Sequence, residues 1–267
     1  MLGDEYKDYC NRFSAVWNYL ESNSKDINQI VDEVCKFRLY FGEEDKWLNL
    51  FKDIGVAYVS SETCNLDKLN TDSLKDLGLF SEEGNFLLNE RYIVPVKDML
   101  GNIIALIGWY PDTKKYITTP SRFFTKDCLF FGLEQVQSTG LGANYFLLEG
   151  VFDALHLRAL GFNAIANMGI NSSKEKEVLY GLFKKIVGIP DNDSSGRRVI
   201  KYDTWKLPVN ASYLRWKGNF KSNIYSGEDD IYVKDIDRLC SLYEEEDVKE
   251  LLSNALLSNS RVYEVSL

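Results

Sequence analysis

The amino-acid sequence predicts a mixed α/β protein, with a helical N-terminal region, a small antiparallel subdomain, a mostly parallel sheet flanked by helices, and an acidic helical tail. Three observations predict this fold class. Apolar residues recur at steps of three and four through the first 80 residues, which is typical of helices. Two β-rich runs, at 92–96 and 103–110, are separated by a turn signal. From residue 145 onward, strand-like and helix-like segments alternate, as in a parallel sheet covered by helices.

The individual elements follow from local patterns. Helices are predicted in the first part of the chain at 5–22, 27–35, 47–54 and 74–80. A third antiparallel strand is expected at 116–119. The later part alternates strands at 145–148, 164–167, 186–189 and 212–216 with helices at about 151–160, 173–184 and 197–205.

Composition and charge divide the chain into four predicted regions. The whole chain carries a net charge of −9, but residues 91–222 alone carry +7. A basic centre between two acidic ends permits a local groove for a polyanion. The predicted regions are a helical or mixed subdomain at 1–90, a basic antiparallel subdomain at 91–143, the sheet domain at 144–233 and the acidic helical tail at 234–267.

Cysteine and histidine usage excludes several kinds of site. The five Cys are far apart and form no C-x-x-C pair, so neither a zinc ribbon nor a secreted disulfide scaffold is expected. His156 is the only histidine, which excludes zinc sites that need two. The chain has no apolar run long enough to span a bilayer, and its first residues do not resemble a signal peptide. A cytoplasmic protein without a membrane partner is therefore expected.

Three carboxylates follow strands of the predicted parallel sheet. Glu149 comes just after the first strand, and Asp191 and Asp193 come just after the third. Because ligands bind beyond the carboxyl ends of parallel strands, these side chains are expected to meet at one edge. Hard oxygen ligands favour Mg²⁺ or Mn²⁺. Such a site is suited to metal-assisted phosphoryl or nucleotidyl transfer.

The Asp191–Asp193 segment allows two other interpretations. It matches the opening of an EF-hand calcium loop, but Tyr202 stands where that loop needs a glutamate, and a strand rather than a helix precedes it. Taken alone, the segment also reads as a polar turn that caps a helix. The arginines that follow, Arg197 and Arg198, could contact phosphate at the helix start or could simply be solvated.

The motifs resemble a known family. Leu148-Glu-Gly-Val-Phe-Asp153 followed by Asp191-Asn-Asp-Ser-Ser-Gly-Arg197 resembles the TOPRIM pattern, E-G-x-x-D and then D-x-D-x-x-G. Further segments are similar to those of DnaG-type primases, and together the similarity covers residues 50–235. They are Tyr92-Ile-Val-Pro-Val-Lys-Asp98, Lys115-Tyr-Ile-Thr-Thr-Pro120, Phe131-Gly-Leu133 and Asn167-Met-Gly169.

The resemblance implies an enzyme that synthesises short RNA primers on single-stranded DNA from NTPs with Mg²⁺ or Mn²⁺. It implies that Glu149, Asp191 and Asp193 are catalytic metal ligands and that Asp153 and Asp229 are further acids of the metal site. It also implies that four basic residues hold template or nucleotide phosphates, namely Arg91, Lys97, Lys115 and Lys126.

This sequence differs from DnaG-type primases in a way that bears on its expected partner proteins. DnaG-type primases usually carry an N-terminal zinc ribbon, and this sequence has no zinc ligands, so no zinc is expected. We expect one of two situations. The chain is a stripped-down, phage-encoded core, or it relies on a replicative helicase or a separate template-recognition subunit. Two alternatives stay open: a TOPRIM nuclease that uses the same metals with water as nucleophile, and a degenerate primase core that acts as a regulatory subunit.

Overall fold

The structure is a computed structural model that describes residues 2–38, 44–69, 72, 74–110, 116–119, 128–217 and 233–266. The chain divides into two compact units, Met1–Ser138 and Thr139–Leu267. Across the described ranges, no helix is long and apolar enough to cross a membrane.

Helices begin the first unit, as the apolar spacing predicts. They are α1 (Leu2–Ser22), α2 (Ile27–Arg38) and α3 (Glu44–Ile54). Their apolar faces are buried, and the Tyr9 hydroxyl of α1 donates to the Ile104 carbonyl at 3.0 Å. This contact ties α1 to the sheet of the same unit.

The prediction of a fourth helix at 74–80 is wrong. The described residues there form only a 3₁₀ turn at Lys75–Leu77. Gly78 then adopts a left-handed conformation with φ of 66°, which a continuing helix does not allow. Phe80 instead makes an isolated antiparallel bridge with Phe86.

The sheet of the first unit is antiparallel, as predicted, with one strand more than the sequence indicated. Its order is β1 (Ala57–Val59), β2 (Arg91–Lys97), β3 (Ile103–Trp109) and β4 (Tyr116–Thr118). The extra strand is β1, which pairs with β2 so that Ala57 lies opposite Ile93. The predicted boundary at residue 90 therefore falls inside one unit, because a strand from the N-terminal region completes this sheet.

The second unit contains the predicted parallel sheet. The short helix α4 (Val136–Thr139) precedes it, and its strand order is β6-β5-β7-β8-β9 with every pairing parallel. In chain order the elements are β5 (Asn144–Leu148), α5 (Val151–Ala159), β6 (Ala164–Ala166), α6 (Lys174–Tyr180), β7 (Lys185–Ile189), α7 (Ser194–Tyr202) and β8 (Ser212–Lys217).

The acidic tail is only partly helical. The helices α8 (Ile236–Leu242) and α9 (Glu245–Leu257) match the predicted spacing, but β9 (Val262–Ser266) is a strand. It pairs with β8, with Tyr213 opposite Val262 and Trp216 opposite Val265. The tail belongs to the second unit because this pairing buries Val265 against the sheet.

Gly188 in β7 offers a test of how tightly this sheet is packed. A Cβ placed there would lie 2.9 Å from Cδ1 of Tyr213 and 3.1 Å from Cδ1 of Leu207, and both of these side chains are buried. We expect Gly188→Ala to lower the free energy of unfolding by about 1–3 kcal/mol, because an overpacked core cannot absorb the added carbon. Urea denaturation measures the change.

The matched control is Gly142→Ala, where an added Cβ meets no atom within 4 Å. We expect its free energy of unfolding to stay within about 0.5 kcal/mol of wild type. Equal stability of the two variants would contradict the packing described here.

Candidate active site at the carboxyl edge of the parallel sheet

The register of two strands brings the predicted acids together. In the parallel pair β5–β7, Leu148 lies opposite Ile189, so both strands end at the same level. Glu149 follows β5 directly, and the backbone N–H of Asp191 donates to Glu149 Oε1 at 3.2 Å. The predicted meeting of Glu149 with the Asp191 segment is therefore present.

The loop between β7 and α7 is fixed by a helix cap. Asp193 Oδ1 accepts hydrogen bonds from the backbone N–H groups of Ser195 at 2.8 Å and Gly196 at 2.9 Å. The segment is thus a capped turn, as its polar composition allows, and α7 begins three residues before the predicted start because of this cap. The same turn also holds Asp191 beside Glu149, which a simple surface turn does not require.

Gly196 is the residue that lets this loop close. A Cβ at position 196 would lie 1.8 Å from the carbonyl oxygen of Asp191, well inside van der Waals contact. The final glycine of the D-x-D-x-x-G pattern is therefore explained by steric exclusion.

The carboxylates repel one another. Burial, the charge of Asp191 and the charge of Asp193 raise the pKa of Glu149 to about 7. Burial also raises the pKa of Asp191, while Lys234 opposes this shift. Nζ of Lys234 lies 3.3 Å from Asp191 Oδ2. Within the part of the chain that the structure describes, the raised pKa values of Glu149 and Asp191 indicate that negative charge at this edge is only partly neutralised.

Asp153 belongs to a second, adjoining group of acids. The backbone N–H of Asp237 donates to its Oδ1 at 3.1 Å, and Asp235 caps α8 by accepting from Arg238 N–H at 2.8 Å. Burial, followed by the charges of Asp235 and Asp191, raises the pKa of Asp153 well above its ordinary value. Asp153 therefore connects the carboxylates at the strand ends to the start of α8.

Asp235 and Asp237 lie in the predicted acidic tail and were not among the predicted site residues. A signal was available, because Lys234-Asp-Ile-Asp237 repeats the D-x-D spacing of Asp191 and Asp193 at a helix start. His156, the buried single histidine, lies beside this group. Its Nδ1 is 3.0 Å from the Phe152 carbonyl oxygen and 3.7 Å from Asp237 Oδ1.

The predicted basic residues fall into three groups. Arg91 and Lys97 lie in the first unit and bond to backbone carbonyls, Arg91 Nε to Leu87 at 3.1 Å and Lys97 Nζ to Ile54 at 3.0 Å. Arg197 and Arg198 lie on α7 and are exposed. Lys115 and Lys126 lie outside the described residues, as does the predicted acid Asp229.

The side chains at this edge offer oxygen donors for a divalent cation. Oxygen ligands and uncompensated negative charge suit Mg²⁺ or Mn²⁺. Within the described ranges, however, no three His, Cys, Asp or Glu side chains form a group that could hold a metal ion as they stand. The acids fit the ion in chemistry and charge, and the ammonium of Lys234 lies at the acid that a cation would neutralise.

Comparison with known proteins identifies the architecture. A family model described as Toprim-like matches residues 146–219. The DNA primase of Mycoplasma genitalium is 25% identical over 219 residues, which cover 76% of this chain and 35% of that protein. The chain thus spans about a third of the length of this curated relative.

Solved primase structures share the fold. The DnaG primase catalytic domain bound to ssDNA superposes with a TM-score of 0.69 at 18% identity, covering 96% of this chain and 82% of that one. The E. coli primase catalytic core superposes with a TM-score of 0.64 at 18% identity, covering 93% of this chain and 82% of that one. The RNA polymerase domain of Mycobacterium tuberculosis primase DnaG superposes with a TM-score of 0.63 at 15% identity, covering 92% of this chain and 82% of that one. The chain therefore has the fold of a DnaG catalytic core, as the resemblance implied.

Gly196→Ala tests whether the close approach to Asp191 shapes the site. We expect the free energy of unfolding to fall by about 2–4 kcal/mol, because the new Cβ displaces either the loop or the first turn of α7. Thermal and urea unfolding measure the change, again with Gly142→Ala as control. A variant as stable as that control would show that the loop does not need glycine.

The raised pKa of Glu149 predicts a pH dependence of stability in metal-free protein. The folded state keeps this proton up to about pH 7, whereas the ordinary pKa is 4.5, so stability falls as pH rises from about 4.5 through 7. We expect Glu149→Gln, measured in EDTA, to be more stable than wild type at pH 8 by on the order of 2 kcal/mol, and equal to it at pH 4.

The control for this measurement is Glu246→Gln, which removes an exposed carboxylate at the start of α9. Its free energy of unfolding should equal that of wild type at both pH values. A Glu149→Gln variant that does the same would contradict the crowding of carboxylates at this edge.

Proposed function

We propose that the chain is the catalytic core of a primase, a nucleotidyltransferase that synthesises short RNA primers on a single-stranded DNA template from NTPs. The observation that carries this proposal is the meeting of Glu149 and the Asp191–Asp193 loop at the carboxyl edge of the parallel sheet. The DnaG-core fold supports it, and the Toprim-like match over residues 146–219 includes Glu149, Asp191 and Asp193.

In this proposal, Glu149, Asp191 and Asp193 hold Mg²⁺ or Mn²⁺, and Asp153 supports them. A bound ion would neutralise the charge that develops on the phosphoryl oxygens during transfer. The reaction joins the 3′ oxygen of one ribonucleotide to the α-phosphorus of the next and releases pyrophosphate. The protein contributes a fixed geometry, because the strand register and the cap at Asp193 hold the acids before substrate arrives.

Asp235 and Asp237 extend the proposed metal site, since they adjoin Asp153 through α8. We assign them this role from their contacts. Asp229 keeps its proposed role as a further acid on the resemblance alone.

The basic residues are proposed to hold phosphates of the template and of NTPs. Arg91, Lys97, Lys115 and Lys126 have this role in the first unit, and Arg197 and Arg198 have it on α7. A replicative helicase or a separate template-recognition subunit is proposed as a partner on the resemblance alone. A cytoplasmic, phage-encoded origin is part of the same proposal.

Primer synthesis is the direct test. Purified protein is incubated with single-stranded DNA, radiolabelled NTPs and Mn²⁺, and the products are separated by size. We expect short RNA from wild type and at least a thousandfold less from Glu149→Gln, because one metal ligand is lost. The variant should remain folded, as judged by its thermal unfolding.

The matched control is Glu246→Gln, which removes the same charge at an exposed position on α9 and should keep wild-type activity. Cleavage of DNA without NTPs would instead identify a nuclease. No product and no Mn²⁺ binding from wild type, with the proposed partners present, would identify a degenerate core and refute the proposal.

A further inference from the structure

A cavity lies at the amino end of the parallel sheet in the second unit, where β5, β7 and β8 begin. Its volume is about 370 Å³, a size at which protein cavities hold small molecules. The first residues of the three strands line it together with three neighbours, namely Asn144, Lys185, Ser212, Lys184, Asn210 and Arg261. Among the residues that the structure describes, no Asp or Glu is part of the lining. A cavity with three basic side chains and no acidic one is suited to an anion.

This cavity is separate from the carboxylate site. Asn144 and Leu148 are the two ends of β5, and Glu149 follows Leu148. Because a strand rises about 3.3 Å per residue, Asn144 and Glu149 are roughly 16 Å apart along the strand direction. The pairings of β5 with β7 and of β7 with β8 are parallel, so all three strands begin toward the same end. A small ligand in this cavity therefore does not reach the acids.

Two of the basic side chains are held in place by backbone carbonyls. Nζ of Lys185 donates to the carbonyls of Leu256 and Ser258, the second at 2.6 Å. Nη1 of Arg261 donates to the carbonyl of Ala211 at 2.7 Å. Carbonyl oxygens have no net charge, so these bonds fix the cations without neutralising them. Burial lowers the pKa of the Lys185 ammonium.

The acid beside these cations is exposed. Nη2 of Arg261 lies 3.3 Å from Oδ2 of Asp203, and the two side chains are 40% and 39% exposed. An ion pair this exposed contributes little to stability, and Asp203 does not line the cavity. Lys184, the third basic residue, is exposed as well. The lining therefore keeps a net positive charge in a chain whose net charge is −9.

The hydroxyl of Ser212 adds a polar group to this cavity. Ser212 is 3% exposed, and its Oγ has no hydrogen-bond partner among the described residues. A buried hydroxyl without a partner destabilises the folded state. Because Ser212 lines the cavity, an oxygen atom of a bound ligand is an available acceptor for this hydroxyl. This feature favours a ligand that carries several oxygen acceptors, as phosphate does.

We propose that this cavity binds the phosphate group of a small molecule. The guanidinium of Arg261 contacts phosphate through its planar fork, and the ammonium groups of Lys184 and Lys185 contact it as point charges. The hydroxyl of Ser212 donates to a phosphate oxygen. Inorganic phosphate and a nucleotide offer the same group, so the experiment has one arm for each source.

A ligand at this position connects the margin of the sheet to its interior. Arg261 directly precedes β9, and its carbonyl accepts a hydrogen bond from the backbone N–H of Tyr213 in β8 at 2.8 Å. Lys184 directly precedes β7. A phosphate that contacts both basic residues holds β9 against the inner strands. Binding therefore stabilises the folded second unit.

The test is isothermal titration calorimetry with inorganic phosphate in one arm and AMP in the other. Both arms contain EDTA, so that no divalent ion occupies the carboxylate site. We expect wild type to bind at a single site, and Lys184→Glu to bind about tenfold more weakly, because a cation contact becomes repulsion by an anion. Ser260→Asp adds a carboxylate at an exposed lining position and leaves all three basic residues in place. It should also weaken binding.

The matched control is Lys174→Glu, which makes the same change of charge at an exposed position on α6 that does not line the cavity. It should keep wild-type affinity. Equal weakening by Lys174→Glu and Lys184→Glu would overturn the proposal, because the loss would then reflect net charge alone. Thermal unfolding without ligand shows whether each variant is folded, and Ser260→Asp serves as the test if Lys184→Glu is not.

The two arms distinguish the sources of the phosphate. Tighter binding of AMP than of inorganic phosphate would identify a nucleotide as the ligand, whereas equal affinity would show that the phosphate group alone is recognised. Wild type that binds neither probe, or binding that both cavity variants leave unchanged, would refute the inference. Binding is measured without catalysis, so its outcome is independent of whether the chain makes primers.

Discussion

The candidate site depends on the register between β5 and β7. These two central strands end level with each other, and the residues just beyond them carry the acids. A shift of one residue would turn the side chains to the other face of the sheet, since alternate residues point in opposite directions. Pro190 ends the β7 ladder because it has no N–H to donate. The hydrogen bond from Asp191 to Glu149 then fixes the contact between the two strand ends.

Much of this arrangement could be predicted from the sequence. Parallel strands place their carboxyl ends together, so Glu149 and Asp191 could be paired from strand order alone. The D-x-D spacing of Asp235 and Asp237 marks them as candidate acids of a site, but it does not tell where α8 packs, so their contact with Asp153 could not be predicted. Strand β9 was not predicted because its five residues follow a long helical pattern and are too few to show the alternation typical of a strand. Strand β1 has only three residues, so it also shows no alternation from which it could be predicted.

The acids and bases of the second unit have different structural positions. Acids cluster beyond the strand ends and at helix starts, where Asp193 and Asp235 also satisfy backbone N–H groups. Helix α7 and strand β8, by contrast, contain five basic residues and no Asp or Glu. This separation explains how a chain with a net charge of −9 can still present a surface for a polyanion.

The position of β5 and β7 inside the sheet has a consequence for the dynamics of the protein. Each of them is bonded to a strand on both sides, whereas β6 and β9, among the residues that the structure describes, are bonded on one side only. Amide protons at such edges exchange through small local openings, and those of the interior strands exchange only when larger units unfold. Fraying of the sheet margins can therefore proceed while the carboxylate positions remain intact.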